Sequence, residues 1–345
     1  MRVAVLGASG YVGLELLRIL LRHPQAELVA VTSEQRAGVP VGDAFPSLRS
    51  LLDLRFEAAN PDALAGRADV VFTALPHASS GPLVSALRKA GLAVIDLSAD
   101  FRLRDPDAYA RWYGPHLAPE LFGEAVYGMP ELHRDEIRGA SFVASPGCYP
   151  TSVLLPLAPF LRAGLVEPGT LIADAKSGVS GAGRTLQDPY LFAELDENAK
   201  AYKVAGAHRH VPEMEQEASA LAGEPVRLAF TPHLLPVIRG IVTSVYARPR
   251  RPLLGTDAHA VLDAAYEHER FVRVLPPGET PSLSAVRGSN FCDVAVAVDE
   301  RTGMLVLLSA IDNLVKGAGG QAVQSMNLMH GIAEETGLLE APLVP

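Results

Sequence analysis

The first hundred residues alternate apolar strand-like runs with amphipathic helical segments, and this alternation limits the possible folds more than any other feature. Parallel neighbouring strands need a crossover connection, which is usually a helix. The alternation therefore predicts a parallel sheet covered by helices on its two faces. The predicted strands are 2–7, 27–33, 68–75 and 93–97, and the predicted helices are 11–22 and about 80–90.

The pattern changes after Cys148, where strand-like segments dominate. The stretch 225–248 predicts long, largely antiparallel strands that Pro232 and Pro236 interrupt. The segments 292–299 and 304–312 alternate in polarity around a turn, which is typical of a hairpin. A last helix is predicted over about 318–335.

These patterns predict an α/β fold with two domains. A Rossmann-type parallel-sheet domain is expected over 1–147, completed by the C-terminal segment 313–345. An α+β catalytic and oligomerisation domain is expected over 148–312. With 345 residues, the chain is long enough for two cores of ordinary size.

Composition narrows the functional class. The net charge of −9 offers no electrostatic footprint for nucleic acid. The chain has two cysteines, Cys148 and Cys292, which is no disulfide framework and suits a reducing compartment. Cys292 is expected to be buried in its strand. Neither a signal peptide nor a membrane span is evident, so a cytoplasmic enzyme acting on small molecules is expected.

A glycine turn follows the first predicted strand and opens the first predicted helix. The stretch 7–13, Gly-Ala-Ser-Gly-Tyr-Val-Gly, has GxxGxxG spacing. In such turns the glycines allow a tight bend, close approach of a pyrophosphate, and close packing of helix on sheet. The turn predicts a dinucleotide site, although a glycine-rich turn without a ligand is the alternative. The predicted contacts are Gly7, Ser9, Gly10, Tyr11, Val12 and Gly13.

The end of the second strand bears on the choice of cofactor. NAD-binding proteins usually carry a carboxylate there for the ribose hydroxyls, but this chain has Thr32-Ser33, with Arg36 just beyond. A hydroxyl and a guanidinium suit a 2′-phosphate, so Ser33 and Arg36 favour NADP(H). Glu34 is the competing feature, because a carboxylate turned inward would repel that phosphate.

Cys148 follows a glycine turn in 145–151, Ser-Pro-Gly-Cys-Tyr-Pro-Thr, at the expected first turn of an apolar helix. Unpaired N–H groups and the dipole at a helix N-terminus favour thiolate over thiol. The sequence therefore predicts a nucleophile, with a small packed cysteine as the alternative.

A cysteine nucleophile needs a proton shuttle, and His208 and His210 are the candidates. They precede Val211-Pro212, where proline at helix position N1 would hold the loop in order. His208 is preferred as an acid/base that pairs with the Cys148 thiolate, and His210 is the close alternative. The two histidines are too close in sequence to indicate zinc, and no further ligand spacing completes a site.

Six motifs in this order resemble those of N-acetyl-gamma-glutamyl-phosphate reductases, a family of the aspartate-semialdehyde dehydrogenase superfamily. The resemblance extends over essentially the whole chain. The motifs lie at 7–13, 96–102, 145–151, 176–184, 208–210 and 312–317.

The resemblance implies NADPH-dependent reduction of an acyl phosphate in arginine biosynthesis, through a thioester on Cys148. It implies further cofactor contacts from Pro76, Ser177, Gly178 and Asn313, and substrate contacts from Arg102, Ser145 and Arg184. Arg102 has an alternative interpretation as a surface arginine at a helix start. Family members are commonly dimers or tetramers, so a homo-oligomer is expected.

Three other functions compete with this interpretation. A related branch reduces carrier-protein-bound aminoadipyl phosphate in lysine synthesis, but usually has Asn-Ala-Thr after the nucleophile, where this chain has Tyr149-Pro150-Thr151. Aspartate-semialdehyde dehydrogenases usually have asparagine at the position of Tyr149. A nucleotide sensor on a retired enzyme scaffold should lack the cysteine or its histidine partners, and both are present.

Overall fold

A computed structural model describes residues 1–344. They divide into two units, the first formed by 1–147 with 318–340 and the second by 148–317 with 341–344. The segments 313–317 and 341–344, both expected with the first unit, lie in the second. The side chains of Asp312 and Asn313 accept hydrogen bonds from backbone groups there, and Leu343 N donates to Arg287 O.

The first unit is built on a parallel sheet of seven strands in the order β3-β2-β1-β4-β5-β7-β6. Every neighbouring pair is parallel, as the alternation of strands and helices predicts. Its inner strands are apolar on both faces because helices cover both sides. The strands are β1 Arg2–Leu6, β2 Glu27–Thr32, β3 Phe56–Glu57, β4 Val70–Thr73, β5 Ala93–Asp96, β6 Val126–Tyr127 and β7 Phe142–Ala144.

Helices connect these strands. The helices are α1 Tyr11–Leu20, α2 Val41–Ala44, α3 Pro61–Leu64, α4 Gly81–Lys89, α5 Pro106–Tyr113 and α6 Pro130–Ile137. One buried apolar cluster joins the sheet to helix α4. It contains Leu6 of β1, Val71 of β4, Val94 of β5 and Leu87 of α4.

The second unit contains a mixed seven-stranded sheet in the order β12-β13-β14-β11-β8-β10-β9. The hairpin of β13 and β14 is confirmed, and Cys292 is buried in β13. The expectation for 225–248 was partly wrong, because β8 lies between β10 and β11 and pairs with β10 in parallel. Pro232 lies inside β10 and does not end it. The strands are β8 Leu171–Ser177, β9 Lys200–Ala201, β10 Leu228–Leu234, β11 Ile241–Ala247, β12 Val272–Val274, β13 Cys292–Asp299 and β14 Met304–Ile311.

The central helix of the second unit is α7, which packs on β11, β14 and α9. Every residue from Tyr149 to Leu161 is buried. A helix buried on all sides is apolar all round, which explains its weak amphipathic pattern. The helices of this unit are α7 Cys148–Arg162, α8 Phe192–Leu195, α9 Val211–Ala222 and α10 Gly255–Tyr266.

Two prolines inside α7 leave two buried carbonyls without their usual helical donors. Pro156 and Pro159 have no N–H to give to the carbonyls of Ser152 and Leu155, four residues earlier. Hydroxyl groups from other elements replace them: Ser309 Oγ donates to Ser152 O at 2.6 Å, and the Tyr266 hydroxyl donates to Leu155 O. The helix stays unbroken because the surrounding packing supplies both donors.

The C-terminal part begins with one π-helical turn, Val315–Gly319, and continues as α11, Gly320–Met329. Helix α11 belongs to the first unit, where it packs on α6 and α1. The tail of the second unit is held at Leu343, whose N–H donates to the carbonyl of Arg287 at 2.7 Å. No helix within residues 1–344 has the length and apolar character needed to cross a membrane.

Candidate active site

The glycine turn of the first unit has the geometry of a dinucleotide cradle. Gly7 has a φ of +72°, and a Cβ there would lie 2.5 Å from Ala74 O. A Cβ on Gly13 would lie 2.5 Å from the Cα of Ala8, so α1 can approach the turn only with glycine at this position. At Gly10 a Cβ would meet only Gly7 O, at 3.9 Å, so this side of the turn is open.

The start of α1 is therefore able to bind an anion. Gly10 occupies the N-cap position, and no side chain caps the helix. The first N–H groups of such a helix, together with its dipole, favour a pyrophosphate. Tyr11 is 38% exposed beside this turn, and Ser9 Oγ lies 2.9 Å from Ser33 Oγ, which joins the turn to the end of β2.

The end of β2 fits a 2′-phosphate. Arg36 is half-buried in a short 3₁₀ turn directly after Ser33. The competing carboxylate is held elsewhere, since Glu34 Oε1 accepts a hydrogen bond from Ala59 N at 2.9 Å. The groups available at this position are a hydroxyl and a guanidinium, which suit an additional phosphate.

The loop after β4 carries Pro76, which is exposed, and it is tied down by Asp100. The Asp100 carboxylate accepts from Ala78 N at 2.6 Å and from Ser80 N at 2.9 Å. Ala78 has a φ of +60°, a conformation that non-glycine residues seldom adopt. The buried carboxylate holds this loop in shape through its two amide hydrogen bonds.

A second buried carboxyl, Asp96, lies in the same hydrogen-bonded network. It accepts from Thr73 Oγ1 at 2.6 Å and from Ser98 Oγ at 2.5 Å. Burial raises the pKa of Asp96 to about 6, although its hydroxyl partners oppose the shift.

Arg102 is buried between two strand ends of the first unit. Its Nε donates to Ser145 O at 2.7 Å, and its Nη2 donates to Leu97 O at 2.8 Å. The alternative of a surface arginine at a helix start is wrong, because the side chain is 5% exposed. Arg102 ties the end of β5 to the end of β7, and its contact with substrate stays a prediction. Ser145 is also fully buried.

Cys148 is the first residue of α7 in the second unit and is half-buried. Gly317, in the π-helical turn, makes its position possible: a Cβ on Gly317 would lie 2.8 Å from Cys148 Cβ. The thiol therefore lies at the helix end that stabilises a thiolate, with backbone packed closely against its stem.

Both candidate histidines lie against Tyr149, the neighbour of Cys148 in the chain. The Tyr149 ring is 5.3 Å from the ring of His208 and 5.9 Å from that of His210, centroid to centroid. The rings of the two histidines are 4.9 Å apart. The structure thus places both predicted histidines against the chain neighbour of Cys148, and their catalytic roles stay a prediction.

Tyr202 is a member of this cluster that sequence reasoning missed. Its hydroxyl lies 2.8 Å from the hydroxyl of Tyr149, and its ring lies 5.7 Å from His208. Burial raises the pKa of both tyrosines, and the charge of Cys148 raises them further. Both therefore stay protonated. No local signal in the sequence marks Tyr202, because a single tyrosine in a loop has no periodicity.

His208 is neutral at physiological pH. Burial lowers its pKa to about 3, and Lys203 and Arg209 add to the effect. Its Nδ1 accepts a hydrogen bond from His210 N at 3.1 Å, so the ring proton is on Nε2. The expected ion pair between His208 and the Cys148 thiolate does not fit this neutral ring, because desolvation disfavours the imidazolium.

Asn313 links Gly240 and Ser180 in a second hydrogen-bonded group of this unit. Its Oδ1 accepts from Gly240 N at 2.7 Å, and its Nδ2 donates to Ser180 Oγ at 3.0 Å. Ser177 and Gly178 reach the same place, since Gly178 N donates to Gly240 O at 2.9 Å. The predicted contacts Ser177, Gly178 and Asn313 are therefore neighbours.

Asp312 sets the turn that carries Asn313. Its buried carboxylate accepts from Gly288 N at 2.6 Å and from Leu314 N at 2.8 Å, and it pairs with Arg239 Nε at 3.0 Å. Sequence reasoning did not single out Arg239. Arg184 is exposed in the loop after the short helical turn at 179–182. Across residues 1–344, no cluster of three or more His, Cys, Asp or Glu side chains could hold a metal ion.

Two family models match consecutive parts of the chain. Residues 2–140 match the model of the NAD-binding domain of semialdehyde dehydrogenases, and residues 148–313 match that of their dimerisation domain. N-acetyl-gamma-glutamyl-phosphate reductase from Citrifermentans bemidjiense is 54% identical, over 100% of this chain and 99% of the relative. The chain belongs to the semialdehyde dehydrogenase family, in its N-acetyl-gamma-glutamyl-phosphate reductase branch.

Another relative bears the same name, and a solved structure shares the fold. N-acetyl-gamma-glutamyl-phosphate reductase from Desulfotalea psychrophila is 49% identical, over 100% of this chain and 99% of its own length. Aspartate semialdehyde dehydrogenase from Candida albicans, solved with NADP, has a TM-score of 0.73 at 18% identity, covering 95% of this chain and 98% of that one. At that identity the likeness shows the fold alone. Since relatives at 49–54% identity carry the acetylglutamyl name, the aminoadipyl alternative is not favoured.

Proposed function

We propose that the chain catalyses the NADPH-dependent reductive dephosphorylation of N-acetyl-gamma-glutamyl phosphate to N-acetylglutamate semialdehyde, a step of arginine biosynthesis. The observation that supports it most is the group formed by Cys148, Tyr149, Tyr202 and the two histidines at the start of α7. The relatives bear the name of this reaction over the full length of the chain.

In the first half-reaction, Cys148 Sγ attacks the gamma-acyl carbon, the bond from that carbon to the phosphate oxygen breaks, and inorganic phosphate leaves. The product is a thioester on Cys148. Covalent catalysis of this kind splits one difficult displacement into two accessible steps. The helix N-terminus stabilises the thiolate. Because Tyr149 and Tyr202 stay protonated, they add no negative charge beside it.

In the second half-reaction, NADPH held by the glycine turn and by Ser33 and Arg36 would supply a hydride to the thioester carbon, leaving a thiohemiacetal alkoxide attached to Cys148. Cleavage of its C–S bond then releases the semialdehyde and returns the thiolate. The neutral Nε2–H of His208 is suited to donate a hydrogen bond to the carbonyl oxygen as its charge develops. His210 remains as the proton shuttle, which assigns the two histidines different tasks.

The residues present fit NADP(H). The open side of the turn at Gly10 suits the pyrophosphate, while Ser33 and Arg36, with Glu34 held by Ala59, suit the 2′-phosphate. Pro76, Ser177, Gly178 and Asn313 are the further cofactor contacts in this proposal. Arg102, Ser145 and Arg184 are the candidates for the substrate.

The proposal is tested by an assay in the oxidative direction, with N-acetylglutamate semialdehyde, inorganic phosphate and NADP⁺. We expect phosphate-dependent formation of NADPH, and much weaker activity with the aminoadipate analogue. Equal kcat/KM for both aldehydes, or turnover that does not need phosphate, would contradict it.

We further propose a cytoplasmic homo-oligomer, supported by the match of 148–313 to a dimerisation domain. Light scattering after size-exclusion chromatography should give a mass of at least two chains. A mass equal to that of one chain at micromolar concentration would refute this.

A further inference from the structure

Two cations of the second unit, Lys203 and Arg209, lie beside the histidines that the sequence predicts to be catalytic. Lys203 follows Tyr202 in the chain, and Arg209 stands between His208 and His210. Both side chains are exposed, so a ligand in solvent can reach them. Because the chain as a whole carries a net charge of −9, an anionic ligand needs local positive charge of this kind.

A tight turn over 204–207 brings the two cations to the same place. Its closing hydrogen bond runs from Ala207 N to the carbonyl oxygen of residue 204, at 3.3 Å. Its two central residues, 205 and 206, both have positive φ, as in the turns that connect the strands of a hairpin. Lys203 precedes this turn and His208 follows it, so the two residues lie on opposite sides of a reversal of the chain.

The chain is anchored on both sides of the turn. Before it, Tyr202 N donates to Pro232 O at 3.0 Å, and the Tyr202 hydroxyl lies 2.8 Å from that of Tyr149. After it, Val211 N donates to His208 O at 3.0 Å. The turn therefore has a fixed position beside the cluster that contains the two histidines.

The backbone of this turn is strained. Lys203 has a φ of +45° and Ala205 a φ of +56°, a conformation that residues other than glycine seldom adopt. Strain of this kind persists only where the surrounding structure enforces it, and it is concentrated at sites that bind ligands.

The charges of Lys203 and Arg209 act on each other and on the ring of His208. Partial burial lowers the pKa of Lys203, and the charge of Arg209 lowers it further. Both charges also add to the effect of burial in lowering the pKa of His208. Within residues 1–344 no carboxylate forms an ion pair with Lys203, so no acidic side chain offsets its repulsion from Arg209.

The chemistry of these groups suits a phosphate. An ammonium offers three donors, and a guanidinium matches the oxygens of a phosphate with its planar fork. In the proposed reaction, the acyl carbon carries both the phosphate and the carbonyl oxygen to which His208 is suited to donate. Cations beside His208 would therefore meet the phosphate, a dianion, whereas the carboxylate of the substrate lies at its other end.

We propose that Lys203 and Arg209 bind the phosphate of the substrate, and inorganic phosphate in the reverse direction. The proposal rests on the proposed function for the identity of this anion. Under it, the two residues hold and neutralise the leaving group and take no part in proton or hydride transfer.

The test measures KM in the oxidative direction, separately for inorganic phosphate, N-acetylglutamate semialdehyde and NADP⁺. Lys203→Gln and Arg209→Gln should each raise the KM for phosphate about tenfold, the effect of one lost charge-assisted hydrogen bond. The KM values for the semialdehyde and NADP⁺ should change less than about twofold, because neither ligand contacts the two cations in this proposal.

Two further variants separate phosphate binding from structural effects. Lys203→Arg keeps the positive charge and should keep most of the affinity for phosphate. Lys200→Gln, the control, removes a charge three residues earlier, in β9, and should leave every KM within about twofold. Melting temperatures show whether each variant is folded.

A binding measurement without turnover complements the kinetics. Inorganic phosphate is titrated into the NADP⁺-loaded Cys148→Ala protein and followed by ³¹P NMR. Adding Lys203→Gln to this protein should raise the dissociation constant for phosphate about tenfold, whereas adding Lys200→Gln should not.

The failures are distinguishable. An unchanged KM for phosphate in both glutamine variants would overturn the proposal. So would a rise in the KM for the semialdehyde instead, because the cations would then bind the carboxylate of the substrate. If wild-type protein forms no NADPH from the semialdehyde and phosphate, the proposed function fails, and the titration still decides whether these residues bind phosphate.

Discussion

The starts of α1 and α7 are both helix N-termini that follow a glycine turn, yet they are built in opposite ways. The start of α1 is open and uncapped, surrounded by hydroxyl and backbone groups such as the Ser9–Ser33 pair. The start of α7 is enclosed by aromatic rings and carries one reactive side chain, Cys148. The same dipole thus suits ligand binding in one unit and, in the proposed mechanism, activation of a nucleophile in the other.

The buried polar groups of the two units differ in a similar way. In the first unit, Asp96 and Asp100 accept several short hydrogen bonds from hydroxyl and amide groups. In the second, burial among aromatic rings lowers the pKa of His208 to about 3, and the charges of Lys203 and Arg209 add to the effect. Hydrogen bonding fixes a shape for a ligand, whereas desolvation selects a protonation state for chemistry.

The largest effect should come from Cys148→Ala, which separates chemistry from binding. We expect phosphate-dependent activity to fall by more than about 10⁴-fold, because the nucleophile is removed. NADPH affinity, measured by fluorescence titration, should change less than about twofold. A variant that keeps measurable phosphate-dependent turnover would contradict the mechanism.

Arg36→Ala tests the binding side of the comparison. The dissociation constant for NADPH should rise about 10- to 100-fold, because a charge-assisted bond to the 2′-phosphate is lost. The constant for NADH should hardly move, and Arg49→Ala, an exposed arginine outside the cradle, serves as control. Equal losses for both cofactors would mean that the 2′-phosphate is recognised elsewhere.

The hydroxyl groups of Ser309 and Tyr266, which donate to carbonyls of α7, should stabilise the second unit. Ser309→Ala should lower the free energy of unfolding of the second unit by about 1–3 kcal/mol, because Ser152 O is left buried without its donor. Tyr266→Phe should act in the same way on Leu155 O.

Restoring the backbone donor provides the check. Adding Pro156→Ala to Ser309→Ala should recover part of the loss in urea unfolding, since residue 156 then has an N–H for Ser152 O. A double-mutant cycle with no coupling would show that the hydroxyl does not replace the missing donor.

The smallest predicted effect concerns the pH dependence of stability. On acidification from pH 6.5 to 5, the second unit should lose stability and the first unit should gain it. His208 has a folded pKa below its ordinary value of 6.5, so the unfolded chain takes up its proton first and the second unit loses stability. Asp96 has a folded pKa of about 6, above its ordinary 3.8, so the folded first unit takes up the proton and gains stability. Each contribution is on the order of 1 kcal/mol.

Hydrogen exchange can follow the two units separately. His208→Asn should flatten the loss in the second unit, and Asp96→Asn should flatten the gain in the first. If both wild-type units change in the same direction and the variants leave their slopes unaltered, burial does not control these two groups as described.

Short-range patterns were sufficient for much of the fold. The alternation of strands and helices predicted the parallel sheet, and the residue types around Gly7 and Cys148 predicted the two helix starts. The order of the second sheet could not be obtained in this way, because β8 enters between β10 and β11 from far away in the chain. Periodicity shows that a segment is a strand but does not say which strand is its neighbour.

The candidate site likewise has some features that depend on neighbouring residues in the chain and others that depend on distant ones. The sequence by itself determined the open glycine turn and the position of Cys148 at a helix start, because these depend on backbone geometry within a few residues. Only the tertiary structure decided that Tyr202 joins the cluster and that His208 is neutral. Those properties arise from desolvation and from hydrogen-bond partners distant in the chain, and only the packed fold creates either.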